Sequence, residues 1–321
     1  MSAELEVLAP GMLTTVQDLG RSGLQHLGVP VSGAMDPSSH RLANALVGNA
    51  REAATLEVTL TGPALRFHDA RLVAVAGAWF ELMLDERLVP MATPFRVAPG
   101  ATLRFGARRR GARAYIAVSG GVAVPPVFGS RATHLTTAMG GWQGRALARG
   151  DRLPLGAAPP RSARAFPGGP DANARVVALG AMSDPWHVRV LAGPQDDLFV
   201  DGALESLTTN PYHVSVDADR VGFRLEGARL AHRAGADILS DGTPAGSLQV
   251  PASGLPVLLM ADRQATGGYA KLAIVISADL GVAAQAAPGD RLQFHLVDRA
   301  GALRALVARE QFLLAMEHDR A

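Results

Sequence analysis

Apolar residues at every second position set the limits on what this chain can fold into. In ATLEVTL, Leu56, Val58 and Leu60 point one way while Glu57 and Thr59 point the other, the pattern of a half-buried strand. RLVAVAG, WFELMLD, ATLRFG and RAYIAVSGG follow at short intervals, separated by glycine, proline or charged turns. That spacing predicts a barrel or sandwich rather than alternating βαβ units. The 35 glycines and 21 prolines fit a fold with many turns and short strands. Aromatics make up only 5% of the chain against 48% apolar residues, so the core must be built from Val, Leu, Ile and Ala. The expected fold is mostly β, with two β-barrel-like halves and a few short helices.

One helix is well marked. In MDPSSHRLANALVGN, Asp36 can cap the N-terminus, Pro37 suits the first helical position and Gly48 can close the C-terminus. The tail GALRALVAREQFLLAMEHD is a second helix, with Leu303, Leu306, Val307, Leu313 and Leu314 on a broad apolar face. Residues 156–174 hold four prolines and three glycines with almost no large apolar residue, and read as a linker or long loop. The organisation predicted is therefore a β-rich half over 1–155, a linker over 156–174, a barrel half over 175–300 and a helix over 301–321. A weak repeat runs through it: PGATLRF (99–105) matches PGDRLQF (288–294), and GDRLPL (150–155) is a shorter copy. Each reads as a tight turn feeding a barrel-closing strand.

Much chemistry is excluded. There is no cysteine, so disulfides, thiolate metal sites and a Cys nucleophile are ruled out. No HExxH or HxH occurs and the nine histidines are scattered, so no metal site is expected. GxGxxG after a strand, GxSxG and the phosphate-binding GxxxxGK[ST] are all missing. The basic run Arg108-Arg109-Arg110 has no aromatic interleaving and reads as a solvated turn, not a nucleic-acid surface. MSAELEVLAPG lacks the pattern of a secretory signal, and no apolar run approaches the roughly 18 residues of a membrane helix. A cytoplasmic protein with neither nucleic-acid nor membrane partners is expected.

Two stretches are too polar and glycine-rich to be simple core. The first, TTVQDLGRSGLQHLGVPVSGAMD (14–36), sets Gln17, Asp18, Arg21 and Asp36 among four glycines. Such a loop can gather charges and backbone N–H groups, or Asp18 and Arg21 can merely pair to fix it. The second spans 246–290. Its PVLLM and LAIVIS read as buried strands, and the loop between them holds Asp262, Arg263, Gln264, Thr266, Gly267, Gly268, Tyr269 and Lys271. Gly267 and Gly268 can adopt positive φ and admit a ligand close to the backbone. The threonine hydroxyl and backbone N–H groups suit a carboxylate or phosphoryl oxygen. Of 31 basic residues Lys271 alone is lysine, which favours a compact charge, or an acid or base, that guanidinium cannot replace.

The same stretches carry a family resemblance. TVQDLGRSGLQHLGVPVSGAMD, ANALVGN, LEVTLTGPAL and GARAYIAVSGGVAVPPVFGSRATH closely resemble one bacterial family. So do VDADRVGFRLEG, SLQVPASGLPVLLMADRQATGGYAK and AQAAPGDRLQF, in order from about residue 8 to 297. That family is known as the C subunit of 5-oxoprolinase, the antagonist of the Kip sporulation-kinase inhibitor, allophanate hydrolase subunit 2-like, or biotin-dependent carboxyltransferase. The resemblance implies cyclophilin-like barrel character. It also implies two partners, a Kip inhibitor-like protein (the B subunit of the oxoprolinase) and a lactam-utilisation protein (its A subunit). With them the oxoprolinase uses ATP to open the lactam of 5-oxoproline to glutamate. The alternatives it carries are a carboxyltransferase that takes a carboxyl group from carboxybiotin, and a regulatory protein that binds a kinase inhibitor.

Residue by residue, the resemblance implies a catalytic group of Lys271, Tyr269 and Asp262. The lysine would hold an anion or donate a proton, and Asp262 would orient it or Arg263. Substrate contacts would come from Gln249, Arg263, Gln264, Thr266, Gly267 and Gly268 in the second half, and from Asp18, Arg21, Asp36 and Asn49 in the first. The sequence departs from the family at Ala265, Ala270 and Ala132, where threonine, proline and serine are common.

Overall fold

The computed structural model of the chain describes residues 3–158 and 184–318. Its first unit draws on the described residues within Met1–Arg21, Ser32–Ala178 and Phe312–Ala321. Nine strands form one sheet there: β1 (Glu4–Ala9), β2 (Leu13–Gln17), β3 (Thr55–Thr59), β4 (Ala64–Phe67), β5 (Arg71–Leu84), β6 (Arg87–Val89), β7 (Phe95–Val97), β8 (Thr102–Val118) and β9 (Arg152–Pro154). The pairing order is β2-β3-β8-β4-β1-β9, with β5 joined to β6, β7 and β8.

Alternation produces strands as expected, but longer ones. RLVAVAG and WFELMLD are a single strand, β5, of 14 residues, and ATLRFG and RAYIAVSGG are a single β8 of 17. Arg108, Arg109 and Arg110 accordingly lie on β8 and not in a turn. Trp79 stands opposite Arg110 and Phe80 opposite Arg108 along the ribbon that β5 makes with β8. These arginines face solvent, and Arg109 pairs with Glu81.

The half-buried reading of β3 also needs correction, because all five of its residues are buried. The helix Pro37–Leu46 supplies the second cover, with Leu42, Ala43 and Leu46 in a cluster with Ala74, Ala76, Tyr115 and Ala117. Glu57 is tolerated inside because it accepts hydrogen bonds from the Tyr115 hydroxyl at 2.7 Å and the Met35 N–H at 2.8 Å. Burial pushes the Tyr115 hydroxyl well above its ordinary titration range, which keeps it a donor. The helix starts and stops where expected: the Asp36 carboxylate accepts from Ser38 N and Ser39 N, Pro37 is the first helical residue, and Gly48 takes φ +76°.

The second unit draws on the described residues within Ser22–Val31 and Leu179–Gln311. Its strands are β10 (Trp186–Ala192), β11 (Tyr212–Val214), β12 (Gly222–Glu226), β13 (Asp237–Gly242), β14 (Ser247–Gln249), β15 (Val257–Leu259), β16 (Thr266–Tyr269), β17 (Lys271–Val275) and β18 (Arg291–Leu296). Seven close into a barrel in the order β10-β17-β14-β15-β12-β11-β18, leaving β13 and β16 as a separate two-stranded ribbon. Val188, Val190, Leu248, Leu258 and Ala273 are fully buried, the aliphatic core that the composition requires, and Phe223 and Phe294 are buried with them. The C-terminal helix runs Arg299–His318, its residues to Gln311 in this unit and those from Phe312 in the first. Phe312 and Met316 pack on the Leu42 cluster of the first unit. Glu317 there pairs with Arg41 at 2.8 Å and Arg51 at 2.6 Å.

From residue 159 onward the expected linker lies outside the described residues. Among the described residues no helix is long and apolar enough to cross a membrane.

The three short repeats are three copies of one turn. Gly100, Gly150 and Gly289 take φ of +87°, +88° and +89°, and a strand begins two residues after each. In each copy the next residue's N–H returns to a carbonyl three positions back: Ala101 to Ala98, Asp151 to Ala148 and Asp290 to Ala287. A Cβ at Gly289 would meet nothing within 4 Å, so only the left-handed backbone opposes a side chain. Gly289→Ala is therefore expected to cost about 1–2 kcal/mol in chemical unfolding. A loss beyond about 3 kcal/mol would mean that packing, not backbone conformation, selects this glycine.

Candidate functional site

PVLLM and LAIVIS provide the barrel strands β15 and β17, as the sequence predicts. What joins them is more ordered than a loop. Thr266–Tyr269 forms β16 and pairs with β13, setting Asp241 opposite Gly267 and Gly242 opposite Thr266. Gly267 and Gly268 are not among the glycines at positive φ, because they belong to this strand. Space explains the first of them: a Cβ on Gly267 would sit 2.6 Å from Gln249 Nε2 and 3.1 Å from Thr243 Cγ2. Gln249 is buried on β14 opposite Lys271, and its Nε2 donates to the Tyr269 carbonyl at 3.4 Å. Gln264, Thr266 and Tyr269 are exposed.

Lys271 opens β17 with its side chain only 1% exposed, and its Nζ lies 3.0 Å from Oδ2 of Asp241, itself 54% exposed. Among the described residues no other carboxylate lies within ion-pair distance of it. Gln195 braces the pair: its Oε1 accepts the Lys271 backbone N–H at 3.2 Å and its Nε2 donates to Asp241 Oδ2 at 3.3 Å. The Lys271 hydrogen bond, then the Gly242 N–H, hold the Asp241 carboxyl below its ordinary titration range. A depressed carboxylate contributes stability that is present above the unfolded value near 4 and lost as pH falls through the folded one. Since Lys271 is the only lysine, ¹³C-lysine labelling gives one side-chain signal, which is expected to step below about pH 4. Asp241→Asn should abolish the step. A parent signal that stays flat through the acid range would show that the pair does not form in solution.

Asp262, expected to orient Lys271 or Arg263, is instead held by Arg220. The guanidinium grips both carboxylate oxygens, at 2.9 Å each, with the two side chains 5% and 2% exposed. The Asp262 N–H also donates to the Arg220 carbonyl at 2.8 Å, so the pair fixes the root of the loop.

Arg263 differs from both. Its Nε donates to the Thr243 carbonyl at 2.7 Å and its Nη1 to the Met260 carbonyl at 3.2 Å. Among the described residues no carboxylate lies within ion-pair distance of it. Burial lowers the guanidinium from its usual titration value, the mark of a cation short of solvent. It lines a cleft of about 250 Å³ together with Gln264, Thr243, Gln25, Pro30 and Val31. The last three come from the 22–31 segment of the first polar stretch, which belongs to this unit.

The candidates from the first half, Asp18, Arg21, Asp36 and Asn49, lie buried in the first unit, each with architectural partners. Asp18 accepts from Gly20 N, Ser130 Oγ and Arg131 N. Arg21 donates to the carbonyls of Val127 at 3.3 Å and Ala132 at 2.5 Å. Asp36 caps the helix, and Asn49 bridges Asn44, the Val118 carbonyl and Gly120 N. Ala270 donates its N–H to the Ala236 carbonyl at 3.1 Å, a bond that a proline at this position would remove. Among the described residues no group of three or more potential metal ligands occurs.

Sequence reasoning missed Asp241, Gln195, Gln25, Thr243 and Arg220. Gln25 lies in a short 3-10 turn and the others in ordinary loops, turns or strands, with a partner 20 to 76 positions away for the four whose contacts tie them to this loop.

Comparison with known proteins places this geometry in a family. The model of the carboxyltransferase domain, subdomains A and B, matches residues 27–296. The C subunit of 5-oxoprolinase from Escherichia coli (strain K12) is 35% identical over 310 residues, covering 96% of each chain. The urea amidolyase of Lachancea kluyveri is 34% identical over 308 residues, covering 90% of this chain but 17% of its own. Among solved structures, the urea amidolyase of K. lactis superposes with a TM-score of 0.90 at 32% identity, covering 98% of this chain and 20% of that one.

Proposed function

The chain belongs to the carboxyltransferase-domain family, subdomains A and B, and from that membership we propose that it is the C subunit of an ATP-dependent 5-oxoprolinase. In this reading it helps open the lactam of 5-oxoproline to L-glutamate, together with a Kip inhibitor-like partner and a lactam-utilisation partner. Its relatives are subunits or domains of multi-part enzymes, and this chain is a component of an enzyme complex.

The observation that carries the choice of substrate is the charge balance of the loop. Lys271 is neutralised by Asp241 and Asp262 by Arg220, which leaves Arg263 as the uncompensated charge. A site with one spare cation suits a lactam that bears a carboxylate better than it suits uncharged urea. Lys271 is the group assigned to the negative charge that develops on the carbonyl oxygen, with Tyr269 and Gln249 as hydrogen-bonding neighbours. Because the lysine is enclosed, the substrate must displace the exposed Asp241 to reach it. Asp262 acts as a positioning residue through Arg220.

Neither the helix Pro37–Leu46, whose Ser38 N and Ser39 N are taken by Asp36, nor the C-terminal helix, whose Gly301 N is taken by Asp298, offers those N–H groups to a phosphate. In this reading ATP is assigned to a partner protein, and no step on this chain runs through it. Biotin belongs to the second reading, carboxyl transfer, which the fit to urea amidolyase favours. Lys271, buried and flanked by Ala270 and Leu272, does not fit a biotin carrier, so a separate carrier would bring the cofactor.

The test is to co-express the chain with the Kip inhibitor-like and lactam-utilisation partners and follow glutamate release from 5-oxoproline and ATP. Release is expected only when the chain is present. Full activity without it overturns the reading, and carboxyl transfer from carboxybiotin to urea would install the second one.

A further inference from the structure

The cleft at Arg263 has more structure than a lone cation. Two backbone carbonyls hold the guanidinium, through Nε and Nη1, so that Nη2 and the second Nη1 hydrogen are left to donate. Gln25 is oriented as well: its Oε1 accepts the Gly23 N–H at 2.9 Å, which leaves both Nε2 hydrogens available. No acidic side chain lines the cleft, and its volume of about 250 Å³ falls below the roughly 300–1,000 Å³ of sites for drug-sized ligands. Fixed donors, a positive charge and a small volume together select a small anion.

We propose that Arg263 and Gln25 form a carboxylate-binding subsite, in which the guanidinium supplies the charge and the Gln25 amide fixes the orientation of the acid group. This rests on the oxoprolinase reading and deepens it by naming the substrate group recognised and a specificity residue, Gln25. Because the donors are set before the ligand arrives, little ordering cost falls on binding. An analogue lacking the carboxylate would leave the half-buried Arg263 guanidinium short of a partner, which discriminates against the missing group, while the exposed Gln25 amide returns to water. A carboxylated carrier would offer the same chemistry as a lactam acid, so the two sources must be tested side by side.

The probes are 5-oxoproline, 2-pyrrolidinone (the same ring without the acid) and bicarbonate, titrated calorimetrically into the full chain and into its co-expressed complex. The expected result is 5-oxoproline bound at least about tenfold more tightly than 2-pyrrolidinone, a margin that charged hydrogen bonds supply. Arg263→Gln should erase the difference. Gln25→Glu, at an exposed position where folding is safe, should do the same by placing an anion in the cleft, and Gln25→Ala should reduce it severalfold. Bicarbonate binding that depends on both residues, with none of 5-oxoproline, would assign the subsite to a carboxyl donor and overturn the proposal as stated. Equal affinity for the two rings, no binding to chain or complex, or parental binding by Gln25→Glu would also overturn it. Glutamate release independent of the chain would sink the oxoprolinase reading while a preference for the acid stood. Chain-dependent release unaffected by Gln25→Glu would sink the subsite alone.

Discussion

Lys271→Met should leave the barrel folded and lower turnover of the assembled complex by about 10²–10³-fold, the usual effect of removing one stabiliser of a developing oxyanion. Methionine matches the buried lysine stem in length, and Asp241, more than half exposed, can take up water when its partner goes. The loss of stability should therefore stay below about 1.5 kcal/mol. Folding and turnover are thus expected to separate, which a purely structural ion pair would not produce. Lys271→Arg sharpens the test. It keeps the charge but brings a larger planar group in beside buried Gln249, and turnover should fall nearly as far. Parental turnover by the arginine variant would end the argument for lysine, and parental turnover by the methionine variant would remove Lys271 from the chemistry.

The largest loss of stability should come from the other ion pair. Asp262→Ala strands the Arg220 guanidinium, 5% exposed, without its bidentate carboxylate. Breaking one side of such a pair typically costs about 3–5 kcal/mol, because the remaining charge stays out of water. For a unit of this size that corresponds to a fall in melting temperature on the order of 10 °C. Replacing both partners by apolar residues of similar shape should recover much of it, since the penalty lies in the orphaned charge. A single-variant loss under about 1 kcal/mol would show that solvent reaches Arg220 and that the pair does not fix the loop.

The strand pattern, the helix caps and the three matched turns were legible because each is a local rule with a residue type attached. Strand lengths were not: a glycine such as Gly77 reads as a break, yet β5 passes through it with the pairing to β8 merely slipping. Glu57 defeated the polar-out rule because its satisfaction comes from Tyr115, 58 positions away. Lys271 stood out in composition, but its counter-ion did not, since Asp241 in ILSDGTP looks like any acid near a turn. Gly267 was singled out for conformational freedom when the reason is the close approach of Gln249. Positions were readable where the constraint is local, and partners were not where it comes from the opposite strand.

The division of the chain between its units has a consequence for biosynthesis. A ribosome delivers the chain from its N-terminus, yet the cleft walls come from residues 25–31 and 242–265. The Gln25 segment must wait through the making of more than two hundred residues before its counterpart emerges. The first unit waits longer still, because Phe312, Met316 and the Glu317 partner of Arg41 and Arg51 arrive in the final turns of the last helix. Until then Arg41 has no carboxylate from Glu317 and the Leu42 cluster keeps an uncovered edge. A chain truncated before Phe312 is therefore expected to leave the Leu42 cluster partly uncovered and to be held by chaperones or degraded more than the chain that carries this helix.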